Sequence, residues 1–547
     1  TIFPNNTLRK NVENNHWCSK SQDEDKKAII ESNSAYLIDL YTQLQEFIAK
    51  EYKDYVFNKL LSKNIYSIAV LNELSKELDQ FKEENNVKHI SEFNNAIAEI
   101  IRKEPAPFIY ERLGERYHHF LIDEFQDTSV MQWHNLLPLV HNSLSEGYQN
   151  LIVGDAKQSI YRWRGGEVEQ FVQLPNDILH SELLPNPNEL KKSLLINSEN
   201  KALSDNWRSC KEIVKFNNSF FTKLKTIISP ELSKIYTSNE QNPMGKEGGY
   251  IHIDLTPKSK EFKAEVMGKI ILQIKELLSL GYSLKDMAIL CRQKNETYAA
   301  ASSLNAEGIN VLSDEALLLN ASKEVQFVLS VLAFLHHPVD KVAQTFILTY
   351  LHQRENNKEQ SLHHLLDSIG KGELSSFYTY LESLGISFNP QSLWELPIYD
   401  LVERLIKVFR LSSRDIYLQY FLDAVHKFSI KNSNDVSAFL EWWEKNNEKE
   451  AIVVPENTEA VKVMTVHKSK GLEFPIVFIP FNWKVGKAAK ELWVDARGKI
   501  KKMKVALLDN NKDLEKSDYA EFHETENHKS RMDDLNVLYV AMTRPKE

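Results

Sequence analysis

Leu121-Ile-Asp-Glu-Phe-Gln-Asp-Thr-Ser129 sets two adjacent carboxylates, Asp123 and Glu124, at the end of an apolar run that starts at Phe120. Phe120, Leu121 and Ile122 read as a short buried strand. A strand in a parallel sheet delivers its next residues to the carboxyl edge, where open α/β sheets keep their ligand crevice. A nucleotide with its magnesium ion suits such a pair. One carboxylate can hold Mg²⁺, directly or through water, while its neighbour orients or deprotonates an attacking water. An Asp-Glu pair also serves simply to open a turn after a strand, so its meaning depends on the rest of the chain.

At 547 residues the chain has material for about three or four domains. Its hydrophobic fraction of 42% and charged fraction of 26% are those of an ordinary globular protein. A net charge of -9 argues against a wholly basic nucleic-acid binder but leaves room for a local basic stripe. Cys18, Cys210 and Cys291 lie far apart and form no C-x-x-C pair. Neither a disulfide framework nor a zinc or iron-sulfur centre is supported, and a reducing cytoplasm fits. No stretch approaches the roughly 18 apolar residues of a membrane span, and Thr1-Ile-Phe-Pro-Asn-Asn lacks the regions of a signal peptide.

Apolar residues at helical spacing predict helices over residues 24–104, including Ala35 to Tyr41 and Ile90 to Ile101, expected to pack as a plain helical bundle. Strand-like runs then alternate with helical stretches: 120–122, 151–153, 250–255, 287–290, 461–465 and 476–479. Such alternation implies parallel sheets covered by helices. Between about 323 and 455 the strand signal gives way to aromatic-rich helical segments such as Phe327 to Leu335 and Phe439 to Trp443, which read as a helical insertion into a second sheet domain. The charge-dense residues 484–530 read as a solvated hairpin and helix.

Four later segments carry chemistry. Leu151-Ile-Val-Gly-Asp-Ala-Lys-Gln-Ser-Ile-Tyr-Arg-Trp-Arg-Gly-Gly166 is again a strand running into a polar turn. Gly154 permits the turn, and the Gln158 amide can accept from a water and donate to a phosphate oxygen. Trp163 between Arg162 and Arg164 offers a base-stacking ring among cations, as single-stranded nucleic acid requires; such a triplet is also a common surface packing feature. In Asn206-Trp-Arg-Ser209, ahead of a helix expected over 211–221, Trp207 can stack on adenine and Arg208 can fork onto a phosphate. In Val463-Met-Thr-Val-His-Lys-Ser-Lys-Gly-Leu-Glu-Phe-Pro475, small and basic residues suit a phosphodiester backbone and Glu473 suits a ribose hydroxyl. Leu538-Tyr-Val-Ala-Met-Thr-Arg544 places Arg544 after an expected helix, as a second candidate arginine finger.

In this order and spacing the five segments resemble the motifs of superfamily 1 DNA helicases of the UvrD/Rep group, from about residue 108 to the end of the chain. Lys157 before Gln158 and the Phe108-Ile-Tyr-Glu-Arg-Leu-Gly114 approach look most like the RecB/AddA recombination-repair helicases. The resemblance implies an α/β fold of the P-loop NTPase type: two RecA-like parallel-sheet domains, the first incomplete, with helical insertions. It divides the chain into a helical region (1–88), the later part of the first RecA-like domain (89–204), the second domain in two parts (205–322 and 456–547), and an insertion between them (323–455). It implies ATP and Mg²⁺ as cofactors, with Asp123 on the metal and Glu124 activating the water. Gln158, Arg208 and Arg544 would surround the γ-phosphate, while Trp207, Glu473 and Gly471 would bind the rest of the nucleotide. Trp163, Arg164, Thr465 and His467 would touch single-stranded DNA. The implied activity is ATP-driven 3′ to 5′ translocation from duplex ends in repair and recombination, with a partner subunit of the AddB/RecC kind and no membrane.

Three positions depart from the group: Trp207 stands where Tyr is usual, and Gly166 and Pro545 stand where Ala is usual. Proline there stops helix continuation. More consequential, the chain contains no Gly-x-x-x-x-Gly-Lys-[Ser/Thr] phosphate loop. The preferred expectation is an internal piece of an active helicase, in keeping with a start other than Met and a stop just after Arg544. The alternative is a helicase-like scaffold that binds DNA without catalysis, which would predict decay of the other nucleotide-binding residues. A metal-dependent nuclease site would need a further acidic cluster, and the sequence offers none.

Overall fold

The computed structural model describes residues 6–18, 23–103, 108–224, 234–236, 240–313, 318–354, 362–370, 374–412, 415–432, 434–452, 458–481, 489–501 and 503–547. The opening Thr1-Ile-Phe-Pro-Asn and residues 484–488 of the charged stretch lie outside them. By contact density the chain divides into two compact units. Unit 1 comprises Thr1–Asp205, Phe216–Asn242 and Lys484–Tyr539; unit 2 comprises Asn206–Lys215, Pro243–Trp483 and Val540–Glu547. Residues 216–242 and 484–539 thus group with unit 1, whereas the division read from sequence attached them to the second sheet domain.

In unit 1 the expected strands form a parallel pair, Leu121–Ile122 with Leu151–Ile152. Ser129 caps the helix Val130–Ser145 in a reciprocal capping box with Gln132, which fixes where the chain turns after the carboxylates. Trp133, Leu137 and Val140 recur at helical spacing on that helix and pack, fully buried, with Phe125, Ile178, Leu190 and Leu194. The amino-terminal helices are Glu24–Ser32, the 52-residue Ser34–Asn85, and Ile90–Lys103.

Besides Ile48, the long helix buries a short stripe, Val56, Phe57, Leu60, Leu61 and Asn64, at i, i+1, i+4, i+5 and i+8. Against it lies an antiparallel hairpin, Glu491–Asp495 with Val505–Asp509, contributing Val494, Ala506 and Leu508 to a shared core with Leu514 and Tyr519. Lys53, Lys59 and Lys63 line the edge of this contact and pair with Asp518, Asp513 and Asp509 at 2.9, 2.8 and 2.7 Å. The charged stretch therefore does form a hairpin and then a helix, Ala520–Met542, but the hairpin is solvated on one face only.

Unit 2 holds a four-stranded parallel sheet in the order Val311–Leu312, Val461–Thr465, Met287–Cys291, Ile476–Phe478. Its central strand Met287–Cys291 is buried at all five residues, which is why the sequence there is a continuous apolar run. Helices Phe262–Ser279 and Lys294–Ala306 cover the sheet through Met267, Ile271, Ile274, Ala300 and Leu304. Between residues 323 and 446 the described elements are all helical, from Lys323–His336 to Val436–Asn446. They share a core of their own that includes Phe327, Phe334, Phe421, Phe439 and Trp443.

The expected strand 250–255 is not formed. Alternation of apolar residues makes a strand only where a neighbouring strand takes its N–H and C=O groups and something covers its apolar face. Here Tyr250, Ile253 and Leu255 are exposed, Leu255 by 91%, and the segment pairs with no strand among the described residues. The two-residue strand Val311–Leu312, too short to show a period, escaped the sequence reading. Because Leu60 is wholly buried between helix and hairpin, Leu60→Ala should destabilise their contact by about 2–5 kcal/mol. Hydrogen exchange read by mass spectrometry should show faster exchange in the hairpin 491–509 and none in the sheet of unit 2.

Candidate functional site

In unit 1 the candidate residues lie where the strands end. Pairing continues beyond the strands, with Val153 N–H donating to Ile122 O at 2.8 Å and Phe125 N–H to Val153 O at 3.0 Å. The loops after Ile122 and Ile152 therefore leave the same edge side by side. Asp123 and Glu124 are both exposed there. Glu124 has φ 52 and ψ 38, a left-handed conformation uncommon for a residue other than glycine and concentrated at functional sites. Its N–H donates to Asp123 Oδ1 at 2.8 Å. The fully buried Gln126 donates from Nε2 to Glu124 Oε2 at 2.5 Å and accepts at Oε1 from the Asp155 N–H at 3.0 Å.

Glycine is required at 154 by close approach: a Cβ there would lie 2.6 Å from Gln126 Oε1. Asp155 then organises the second loop. Its Oδ1 accepts from the Lys157 N–H at 3.0 Å and pairs with Lys157 Nζ at 2.7 Å, and its Oδ2 accepts from Gln158 Nε2 at 3.0 Å. Gln158 is thus held beside the carboxylates through Asp155, a residue that the sequence reading did not single out.

Arg162–Arg164 forms a single 3₁₀ turn ended by Gly165 at φ 90. Trp163 is 68% exposed, and the Arg164 guanidinium sits 4.7 Å from its ring centroid, a cation–π arrangement. Arg162 has a different role from Arg164: it forks onto Glu526 with two bonds of 2.9 Å and reaches Asp533 at 2.6 Å, both on the helix Ala520–Met542. Burial pushes the Asp533 carboxyl up to about 6 even with Arg162 against it. Lys529 on the same helix meets Glu167 and Glu169 at 3.3 Å each. Asn536, wholly buried, donates to the carbonyls of Ser159 and Ala156 at 2.9 and 3.3 Å and accepts from the Tyr236 hydroxyl at 2.5 Å. The loop carrying Gln158 and Trp163 is therefore clamped to this helix within unit 1.

Unit 2 carries a second cluster of candidate residues. The Asn206 side chain accepts from the N–H groups of Arg208 and Ser209 at 3.0 and 3.1 Å, forming a tight turn that leaves Trp207 71% exposed. Arg208 donates to Glu473 Oε2 at 3.1 Å and to the Thr543 carbonyl at 3.4 Å. Glu473 also pairs with Lys546 at 2.6 Å, and Lys546 followed by Arg208 holds its carboxyl below the usual range.

After its helix the chain runs extended beside Phe474 and Pro475. Phe474 N–H donates to Arg544 O at 3.1 Å, Lys546 N–H to Phe474 O at 2.8 Å, and Glu547 N–H to Pro475 O at 3.0 Å. No bond in this ladder needs an N–H at 545, so proline fits there. Ser209 Oγ donates to Pro545 O at 2.6 Å and Cys210 N–H to Lys546 O at 2.8 Å, tying the Trp207-Arg208 turn to the same segment.

Arg544 is buried. Its guanidinium donates to the carbonyls of Val540 and Leu472 at 3.0 and 3.1 Å and to Thr543 Oγ1 at 3.1 Å. These bonds engage three of the five guanidinium N–H donors. Thr465 ends the strand Val461–Thr465, paired with Cys291, and leads into the short helix Val466–Ser469 that carries the half-buried His467; Gly471 follows at φ 82. The structure thus brings Asp123, Glu124 and Gln158 together in unit 1, and Arg208, Glu473 and the Arg544 segment together in unit 2.

Two parallel-sheet bodies thus carry the candidate residues, one ending in a carboxylate loop beside a glutamine loop and the other bringing Arg208 and the Arg544 segment close to the exposed Trp207. The chain belongs to the UvrD-like helicase family: the profile of the UvrD-like helicase C-terminal domain matches residues 202–388 and 413–547, and that of the UvrD/REP helicase N-terminal domain matches 4–178. It is similar to an ATP-dependent helicase/nuclease subunit of Streptococcus pneumoniae strain CGSP14, at 28% identity over 459 residues, 73% of this chain and 36% of that protein. The subunit of the same name from Lactococcus lactis is 26% identical over 467 residues, 74% of this chain and 36% of that protein. RecBCD enzyme subunit RecB of Buchnera aphidicola is 25% identical over 531 residues, 88% of this chain and 41% of that protein. The chain therefore spans well under half the length of these relatives. Among the described residues no helix is long and apolar enough to cross a membrane.

The Glu473 carboxyl gives a pH prediction. Since its folded value is depressed, the contact it makes with Lys546 and Arg208 is fully present above the ordinary carboxylate range and lost as pH falls through the folded value. Amide exchange at Lys546, followed from neutral pH downward and corrected for intrinsic rates, should accelerate below about pH 4, and Glu473→Gln should remove that step.

Proposed function

We propose that this chain is the motor portion of an ATP-dependent DNA helicase of the RecB/AddA kind, translocating 3′ to 5′ on single-stranded DNA from duplex ends in cytoplasmic repair and recombination. Its phosphate loop is supplied by polypeptide outside these 547 residues. The observation that carries the reading is the side-by-side exit of the Asp123-Glu124 loop and the Asp155–Gln158 loop from one parallel strand pair. That is the arrangement expected of a water-activating carboxylate beside a γ-phosphate sensor.

A bare sheet face supports the extra polypeptide. Leu121 and Leu151 are register partners on one face of the pair, and they are 74% and 52% exposed. Parallel sheets ordinarily bury both faces, so this one has room for further structure against it.

Two hard carboxylates at an exposed strand end fit magnesium, which takes one or two protein carboxylates and leaves its other positions to water and phosphate oxygens; Asp123 would hold it, and bound there it would neutralise phosphate charge. Glu124 orients and deprotonates the attacking water, and Gln158 senses the γ-phosphate. Arg208 and Arg544 stabilise its developing charge, Arg544 after leaving its carbonyl acceptors. Trp207 stacks on adenine, with Glu473 and Gly471 beside the ribose. Trp163, with Arg164, Thr465 and His467, grips the DNA strand by stacking and phosphate contact. The named relatives are subunits, which supports a partner subunit of the AddB/RecC kind.

The 547-residue chain alone should show little DNA-stimulated ATP hydrolysis. The protein that also carries the phosphate loop should hydrolyse ATP on adding single-stranded DNA and lose about 10²-fold or more of that rate on Glu124→Gln. A steady-state phosphate-release assay decides: full turnover by the Gln variant removes Glu124 from the chemistry, and an inert wild type favours a DNA-binding scaffold.

A further inference from the structure

Gln126 is 0% exposed and sits between the two loops of the unit 1 half-site. A primary amide offers two donors and one acceptor oxygen, and here the surroundings dictate which way it points. Oε1 meets a backbone N–H, that of Asp155 at 3.0 Å, so Nε2 must face the Glu124 carboxylate, which it does at 2.5 Å. A flipped amide would set donor against donor and oxygen against carboxylate. The Gln126 carbonyl in turn accepts from Ser159 Oγ at 3.3 Å, just past Gln158.

These bonds form a continuous series. Glu124 Oε2 accepts from Gln126, Gln126 Oε1 accepts from the Asp155 N–H, and Asp155 Oδ2 accepts from Gln158 Nε2 at 3.0 Å. The base and the sensor are thus joined by the Gln126 side chain and by Asp155, whose N–H meets the one and whose carboxylate meets the other. Room for the bridge is made by Gly154, where even a methyl group would lie 2.6 Å from Gln126 Oε1. The left-handed backbone of Glu124 brings its carboxylate over the buried amide two residues later.

We infer that Gln126 is a positioning residue that couples the water-activating carboxylate of Glu124 to the γ-phosphate-sensing loop through Asp155. The inference rests on the ATP-hydrolase reading above. Movement of Gln158 toward a phosphate alters its bond to Asp155, and the Asp155 N–H carries that change to Gln126 and so to the direction of the Glu124 carboxylate. No neighbouring residue type replaces this function. Asn falls one methylene short, Met fills the space without either bond, and Glu accepts from Asp155 but sets like charge against Glu124.

Two variants test it. Gln126→Met removes the bridge while keeping its volume, and Gly154→Ala leaves Gln126 in place but displaces its amide. In the 547-residue chain, hydrogen exchange of the 153–159 segment should accelerate at Asp155 in both variants, with helix Val130–Ser145 unchanged. In the protein with its phosphate loop, each should lower kcat for DNA-stimulated ATP hydrolysis by about 10²-fold, the scale set by misplacing a catalytic group by an ångström, with KM for ATP unchanged.

Loss of Asp155 protection with kcat intact would overturn the coupling and leave Gln126 a buried polar filler. Loss of protection throughout the unit 1 core in both variants would do the same. If the wild type itself hydrolyses no ATP, the ATPase reading fails and takes this inference with it. An active wild type with fully active variants refutes the inference alone.

Discussion

The unit 1 half-site depends on the register of one parallel strand pair. Leu121 against Leu151 and Ile122 against Ile152, extended by the Phe125 and Val153 N–H groups, bring two loops thirty residues apart in sequence to a common edge. A one-residue slip would turn every side chain in the pair to the opposite face and separate Gln126 from the Asp155 N–H. Register is in turn secured beneath the sheet, where Phe125 and Trp133 meet edge to face with ring centroids 5.0 Å apart in a core that excludes water. The two loops are then joined through Gln126, a polar side chain too buried to find water instead, which makes its unmade bonds expensive and its position correspondingly well defined.

In unit 2 the organising contact is also backbone pairing. The final residues lie along Phe474–Pro475 and are held from the other side by Ser209 and Cys210, so three segments distant in sequence present Arg208, Glu473 and Lys546 as one cluster. In this cluster Glu473 faces two cations, which leaves it net positive, and Arg544 donates to two carbonyls and a hydroxyl. On the proposed reading, a phosphate would offer Arg544 a stronger, charge-assisted acceptor than the neutral oxygens it now meets.

Much of the placement is legible from residue order because the candidate residues sit in contiguous segments. Asp123-Glu124, Gln158, Trp207-Arg208 and Arg544 stand out by their sequence neighbours, and the strands behind the first two loops by short apolar runs. Missed features depend on what meets what across the fold. Gln126, Asp155, Asn536 and Lys546 are ordinary polar residues until the register sets a partner opposite each; only the position of Gln126 two residues after Glu124 hinted at its role. Arg162 and Arg164 look alike in sequence and differ because Glu526 and Asp533, more than 360 positions later, claim one of them. The alternating run 250–255 misled because alternation describes one strand, and a strand also needs a neighbour. The hairpin at 491–509 was visible as a charged ribbon, but its buried face was set by a helix that begins at Ser34.

On the proposed reading the two half-sites drive movement along DNA rather than merely hold it. The most direct measurement is displacement of a fluorescent strand from a duplex bearing a 3′ single-stranded tail, by the protein that joins this chain to its phosphate loop. The expected result is displacement that requires ATP and a 3′ tail and fails with a 5′ tail. Binding of the tailed duplex with no ATP-dependent displacement from either end would contradict it.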